Sequence, residues 1–174
     1  MKNSKNKYAK IMAVLVIATA FFVLGSVIER LYFRQYIQEK TEEIINIQND
    51  GYTKVSVGIN SADLSFSADC YRLTMTITND QAFSISRGMQ KVFERPMTHD
   101  LIKDIFDGFG INAIEARIEK YYEGLYYAKI YLQKGNRVLS IDSRPSDISG
   151  IAVRTGIPVY VKTDILTKNG TYTC

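Results

Sequence analysis

Two short stretches hold most of the side chains able to do chemistry. Arg95-Pro96-Met97-Thr98-His99-Asp100 leads into a helical pattern, and Asp142-Ser143-Arg144-Pro145-Ser146-Asp147 joins a strand to another. Each sets an arginine beside the free backbone N–H groups of a helix start, a combination suited to an anionic oxygen such as a phosphate. His99 is the only histidine, so no multi-histidine metal centre and no histidine pair for proton relay can form. His99 and Asp100 are candidates for acid–base work or for holding a water. Asp142 and Asp147, if brought close, would bind a divalent cation such as Mg2+ or Mn2+ through oxygen, with the identity of the metal left open. Arg87, Arg95 and Arg144 are the candidate phosphate holders. A purely structural alternative stands beside all of this. Pro at the first helical position, Thr or Ser at the cap and Asp in the first turn are ordinary helix-start chemistry. Likewise Asp100, Asp104 and Asp107 share one helix face, as a solvated face would, and Ser84-Ile85-Ser86-Arg87 reads as a helix surface. No G-x-S-x-G, glycine-rich phosphate loop or C-x-x-C spacing occurs.

The elements that must position these residues follow from periodicity. Tyr52–Ile59 and Tyr71–Thr78 alternate as half-buried strands. Asp80 can cap a short helix reaching Met89, Thr98 can cap a second that ends at Gly110, and Pro145 opens a third that stops at Gly156. Ile111–Lys120 and Leu125–Leu132 flank Tyr121-Tyr122-Glu123-Gly124 as a hairpin. Gly135-Asn136 turns into a strand over 137–142, and Pro158–Val161 forms a last one. Antiparallel strands with interspersed short helices predict a compact α+β domain over residues 51–174.

Ahead of it, Ile11 to Ile28 run 18 positions without a charge. At about 1.5 Å per residue that helix would span a bilayer, so one transmembrane helix is expected at 11–28, with a cleaved signal peptide as the rival reading of the same segment. It follows a basic tail at 1–10 and precedes a helical stalk at 29–50. The lysine and arginine bias, four before the span against three after it, favours a cytoplasmic N-terminus and an extracytoplasmic domain. The net charge of +4 belongs to this anchor: residues 1–34 carry six Lys/Arg and one acid, leaving 16 Lys/Arg and 17 acids, hence −1, for the rest. Bulk charge thus gives no support to nucleic-acid binding, and any phosphate site must be local. Cys70 and Cys174 read most simply as a strand cysteine and a free terminal one, with a bridge open to them outside the cytosol.

Gln81-Ala82-Phe83-Ser84-Ile85-Ser86-Arg87, then Arg95-Pro96-Met97-Thr98-His99-Asp100-Leu101, then Ser143-Arg144-Pro145-Ser146-Asp147 and Arg154-Thr155-Gly156-Ile157-Pro158-Val159-Tyr160-Val161 resemble, in order and spacing, the bifunctional nuclease domain family over about residues 55–166. The resemblance implies a compact α+β fold, a tendency to form homo-oligomers, and hydrolysis of RNA and DNA without strong base preference. It carries over His99, Asp100, Asp142, Asp147, Arg87, Arg95 and Arg144 as candidates. The chain departs from the family pattern at Gln81 and at Ile148-Ser149-Gly150-Ile151. The expected function is a membrane-anchored nuclease. The alternative is a non-catalytic, membrane-tethered binding or assembly module of the same fold.

Overall fold

Alternation of apolar and polar side chains builds the sheet strand by strand. The computed structural model describes residues 12, 19, 21–32, 34, 35, 50–91 and 95–174. The chain divides into two units, Met1–Asp50 and Gly51–Cys174. In the first, residues 21–32 are helical and expose Phe21, Phe22 and Leu24. Among the described residues no helix is long and apolar enough to cross a membrane. Eight of the 18 positions of the expected span at 11–28, and most of the expected stalk at 29–50, lie outside the described residues.

The second unit is the α+β domain. Its strands are β1 (Tyr52–Asn60), β2 (Asp63–Ala68), β3 (Tyr71–Thr76), β4 (Asn112–Tyr122), β5 (Leu125–Lys134), β6 (Arg137–Ser143), β7 (Val159–Lys162) and β8 (Thr171–Tyr172). Its helices are α1 (Asn79–Gln90), α2 (Thr98–Phe109), α3 (Pro145–Thr155) and α4 (Thr163–Asn169). The eight strands form one sheet in the order β6-β5-β4-β7-β1-β2-β3-β8. Every pairing is antiparallel except β4 with β7.

The β4–β5 hairpin closes as expected. Tyr122 pairs with Leu125, and the two residues between them, Glu123 and Gly124, both have positive φ, the geometry whose twist matches the flanking strands. β2 was not expected. Leu64 and Phe66 alternate with Ser65 and Ser67 and are fully buried, but Ser61-Ala62 carries no glycine to mark the turn, and Ser61 itself takes the positive φ. α4 and β8 were not expected either, since α4 begins directly at the end of β7 and is only seven residues long.

One side of the central strands, with Ala116, Ile118, Ile130 and Val161, packs on Ile85 of α1 and Ile148 and Ile151 of α3. The other side of β4 is buried as well. There Glu115 forms an ion pair with Arg117, whose guanidinium lies 4.9 Å from the ring centre of Tyr52 and 5.1 Å from that of Tyr131. Burial, reinforced by donation of its hydroxyl to Glu119, pushes Tyr131 up to about 12.

The cysteines are not free. Cys70, in the β2–β3 turn, is bridged to Cys174, and their Cα atoms are 5.1 Å apart. β8 pairs with β3 through Tyr71 and Tyr172, and Thr173 N–H donates to Cys70 O, which delivers the C-terminus to that turn. Local spacing could not reveal this, because the partners are 104 positions apart.

Candidate functional site

α1, α2 and α3 meet on the helix-bearing side of the sheet, and their first turns determine which polar groups face one another. At the start of α1 the cap is Thr78 rather than Asp80. Thr78 Oγ1 accepts from Gln81 N–H, Gln81 Oε1 accepts from Thr78 N–H, and Asp80 lies in the first turn. Gln81 Nε2 then donates across to Ser146 Oγ at 3.1 Å, tying α1 to the first turn of α3. At the start of α2 the cap position is Met97 rather than Thr98, and Asp100 Oδ2 accepts the Met97 N–H at 2.8 Å.

One helical turn along from the Gln81–Ser146 link lies His99. Ser84 is three residues past Gln81 and Gly150 four past Ser146, so both sit about 5 Å deeper along their helices. The imidazole Nδ1 is 2.8 Å from Ser84 Oγ, and the ring rests against Gly150 so closely that a Cβ there would lie 2.6 Å from Nε2. The ring is nearly buried, and Nε2 has no hydrogen-bond partner among the described residues. Burial holds His99 below its ordinary pKa. The Arg154 charge adds to that and Arg144 adds a little more, while Asp147 and Asp100 oppose it. At neutral pH the ring is the uncharged form, with one nitrogen a donor and the other an acceptor.

Asp100 turns inward, and Arg154, which the sequence reading did not select, meets it. The Arg154 side chain has no solvent exposure; its Nε donates to Asp100 Oδ1 at 2.5 Å, Nη2 to Ser84 O at 3.1 Å and Nη1 to Gly150 O at 2.9 Å. One guanidinium thus joins three helices. The hydrogen bond from Arg154, more than any other contact, holds the Asp100 carboxyl below the usual carboxylate range, with the Met97 N–H and Arg87 acting the same way. Room for Arg154 comes from Gly88 of α1, where a Cβ would lie 2.6 Å from Nη1. The signal available beforehand was spacing: Asp147, Gly150 and Arg154, at i, i+3 and i+7, share a face of α3.

The other candidates divide. Arg144 and Asp147 pair with each other, Nε to Oδ2 at 2.8 Å and Nη2 to Oδ1 at 3.0 Å, with Arg144 71% exposed. Arg87 lies in the last turn of α1, and Arg95 precedes α2. Arg87 Nη2 donates to Arg95 O at 3.4 Å and its guanidinium is 5.7 Å from the Phe83 ring centre, while Arg95 is exposed. Asp142 is not brought to His99. It pairs with Lys129 on exposed β6, and strand alternation points it away from the helices, because its neighbour Ile141 is the one that pairs with Ile130. Asp104 and Asp107 face solvent, Asp107 paired with Lys103, so only Asp100 of that trio turns inward.

These donors do not fit a cation held by Asp142 and Asp147. The two point to different sides of the sheet, Asp147 is engaged by Arg144, and no group of three or more His, Cys, Asp or Glu able to hold a metal occurs among the described residues.

A family model described as the bifunctional nuclease domain matches residues 64–173. An uncharacterized protein of Mycobacterium tuberculosis strain H37Rv is 36% identical over 99 residues, 56% of this chain and 58% of that protein. "Bifunctional nuclease 1" of Arabidopsis thaliana is 34% identical over 79 residues, and "Bifunctional nuclease 1" of Oryza sativa subsp. japonica 33%; each match covers 44% of this chain and 24% of the plant protein. The chain therefore spans a little over half the length of the mycobacterial relative and about a quarter of the plant ones.

Proposed function

The chain belongs to the bifunctional nuclease domain family, and on that footing we propose that it hydrolyses phosphodiester bonds in RNA and DNA with little base preference, using His99 as its proton-transferring group. The observation that carries this is the setting of His99. It is an uncharged imidazole anchored at Nδ1 by Ser84, with Nε2 unpartnered among the described residues, beside an exposed arginine at the first turn of α3. Nε2 takes a proton from the attacking water as its oxygen bonds to phosphorus, and returns one to the leaving oxygen as that bond breaks. Arg144, exchanging Asp147 for a phosphate oxygen, holds the negative charge. Asp100 and Arg154 are positioning residues: they fix the helices that frame the imidazole.

The test is cleavage of labelled single-stranded RNA and DNA by the full chain in Mg2+, Mn2+ or EDTA, comparing His99→Ala and Asp147→Ala. Loss of cleavage of about 100-fold or more in His99→Ala is the expected result, as general acid–base groups contribute about that much. Undiminished cleavage by that variant would overturn the role of His99.

A membrane anchor at 11–28 and an extracytoplasmic domain belong to the same proposal. The exposed Phe21, Phe22 and Leu24 support an apolar surrounding for the N-terminal helix, and the Cys70–Cys174 bridge supports an oxidising compartment. Protease digestion of intact cells should then degrade the domain; complete protection would place it inside.

The assembly reading keeps one favourable observation. Leu101, Ile105 and Phe109, at i, i+4 and i+8 of α2, are 58%, 43% and 65% exposed, an apolar stripe suited to a second copy of the chain. Light scattering on the wild type and on Ile105→Lys tests it, with a homo-oligomer that the substitution dissociates as the expected outcome.

A further inference from the structure

A cleft of about 580 Å3 opens at the outer end of this site, between the end of β3, the starts of α1 and α3, and the β4–β5 turn. Gln81, Arg144 and Ser146 line one side and Leu125 and Tyr126 the other. Tyr126 pairs with Tyr121 across the hairpin on the same face, their ring centres 4.6 Å apart and the planes tilted by 37°. Tyr121 keeps 43% of its surface exposed. The site chemistry uses neither ring, and of the two Tyr126 is the one that lines the cleft with Arg144.

We infer that this cleft takes an unpaired nucleobase, stacked on Tyr126, which the Tyr121 ring backs, while its phosphate lies at Arg144, so that the substrate is single-stranded nucleic acid. The inference rests on the nuclease reading and narrows its substrate class. Bases in a duplex have their faces covered by stacked neighbours; only an unstacked base offers a free π-face to a tyrosine. Stacking is also indifferent to base identity, because every base has such a face, which accords with little base preference. The platform is stiff. Glu123 and Gly124 close the hairpin in two residues with positive φ, and Ile118 and Ala128, at the base of the same hairpin, are buried in the core. The opposite face of the hairpin differs: Lys120 sits 4.5 Å from the Tyr122 ring centre and 5.8 Å from that of Tyr127, away from the cleft.

The experiment is fluorescence anisotropy on the full chain. The probes are a short phosphorothioate oligothymidylate, which resists hydrolysis, and a phosphorothioate hairpin duplex. Tyr126→Ala is expected to weaken single-strand binding about tenfold, or about 1.4 kcal/mol, the scale of one stacked base, and so to collapse the ratio of single-strand to duplex affinity. Tyr126→Phe, which keeps the ring, should retain the ratio, and Tyr127→Ala, on the other face, should not change it. Equal binding of both probes by the wild type, or an unchanged ratio in a Tyr126→Ala variant that Tyr126→Phe matches, overturns the inference. Failure of the nuclease reading would look different: no cleavage from the wild type, with the binding ratio still dependent on the Tyr126 ring.

Discussion

Replacing Arg154 by Met tests the reasoning about the polar cluster most directly. The guanidinium has no solvent exposure and the carboxylate it meets keeps only 9%, and the guanidinium makes four contacts: two with Asp100, at 2.5 and 3.5 Å, and one each with Ser84 O and Gly150 O. Methionine leaves the carboxylate with the Met97 N–H alone and strips two carbonyls of a donor. Removing one member of a buried pair costs about 3–5 kcal/mol, mostly because the remaining charge is uncompensated. Each abandoned carbonyl, alone, would cost about 1–3 kcal/mol, though such terms do not add within one network. We therefore expect about 3–5 kcal/mol, against roughly 5–15 kcal/mol for a domain of this kind. In urea, with a slope of about 1–3 kcal/mol per molar, the midpoint measured by circular dichroism should fall by about 1 M or more. Asp100→Asn combined with Arg154→Met should recover part of the loss, since no buried charge remains. The pH dependence adds a signature. In the wild type Asp100 titrates below its unfolded value, so its contribution is present above about pH 4 and is lost as pH falls through the lower folded value. In Arg154→Met the buried, unpaired carboxyl titrates above its unfolded value instead, so the deficit against wild type should shrink as pH falls from 7 towards 4. A single variant within about 1 kcal/mol of wild type, or a double variant equal to the sum of its parts, would refute the strut.

Further outcomes follow from the same contacts. His99→Gln should flatten the stability profile just below about pH 6.5: a folded pKa held below the unfolded one makes the wild type lose stability as pH falls through that window, which urea midpoints against pH will show. Gly150→Ala should cost about 1–3 kcal/mol in the same titration, because the new Cβ meets the His99 ring, which Ser84 keeps from moving aside. Cys70→Ser should lower stability by about 2–4 kcal/mol and make the melting temperature insensitive to reductant, as a long closed loop is released.

Much of the frame was legible in advance, and for local reasons. Pro145 and Gly156 bound α3, Gly110 ends α2 with a left-handed φ of 62°, and Glu123-Gly124 closes the β4–β5 hairpin, because each acts through its own backbone conformation. β2 escaped notice because its turn uses serine where glycine would have announced it, and α4 because it follows β7 without an intervening loop. Cap positions slipped by a residue or two, since Thr98 and Asp80 are good capping types but the chain uses Met97 and Thr78.

The sequence by itself determined which residue types could do chemistry and the helix starts that carry them: one histidine, a few carboxylates, and arginines beside Pro96 and Pro145. Only tertiary structure decided their parts. Asp100 and Asp147 look alike as acids in first turns, yet one is buried against an arginine 54 residues away and the other is held at the surface by its neighbour Arg144. Asp142 turns away because a strand alternates its faces, and Cys70 finds Cys174 because β8 returns to β3. In each case the deciding energy is that of burying a charge or closing a chain, and it depends on what lies across space rather than on what lies next in the chain.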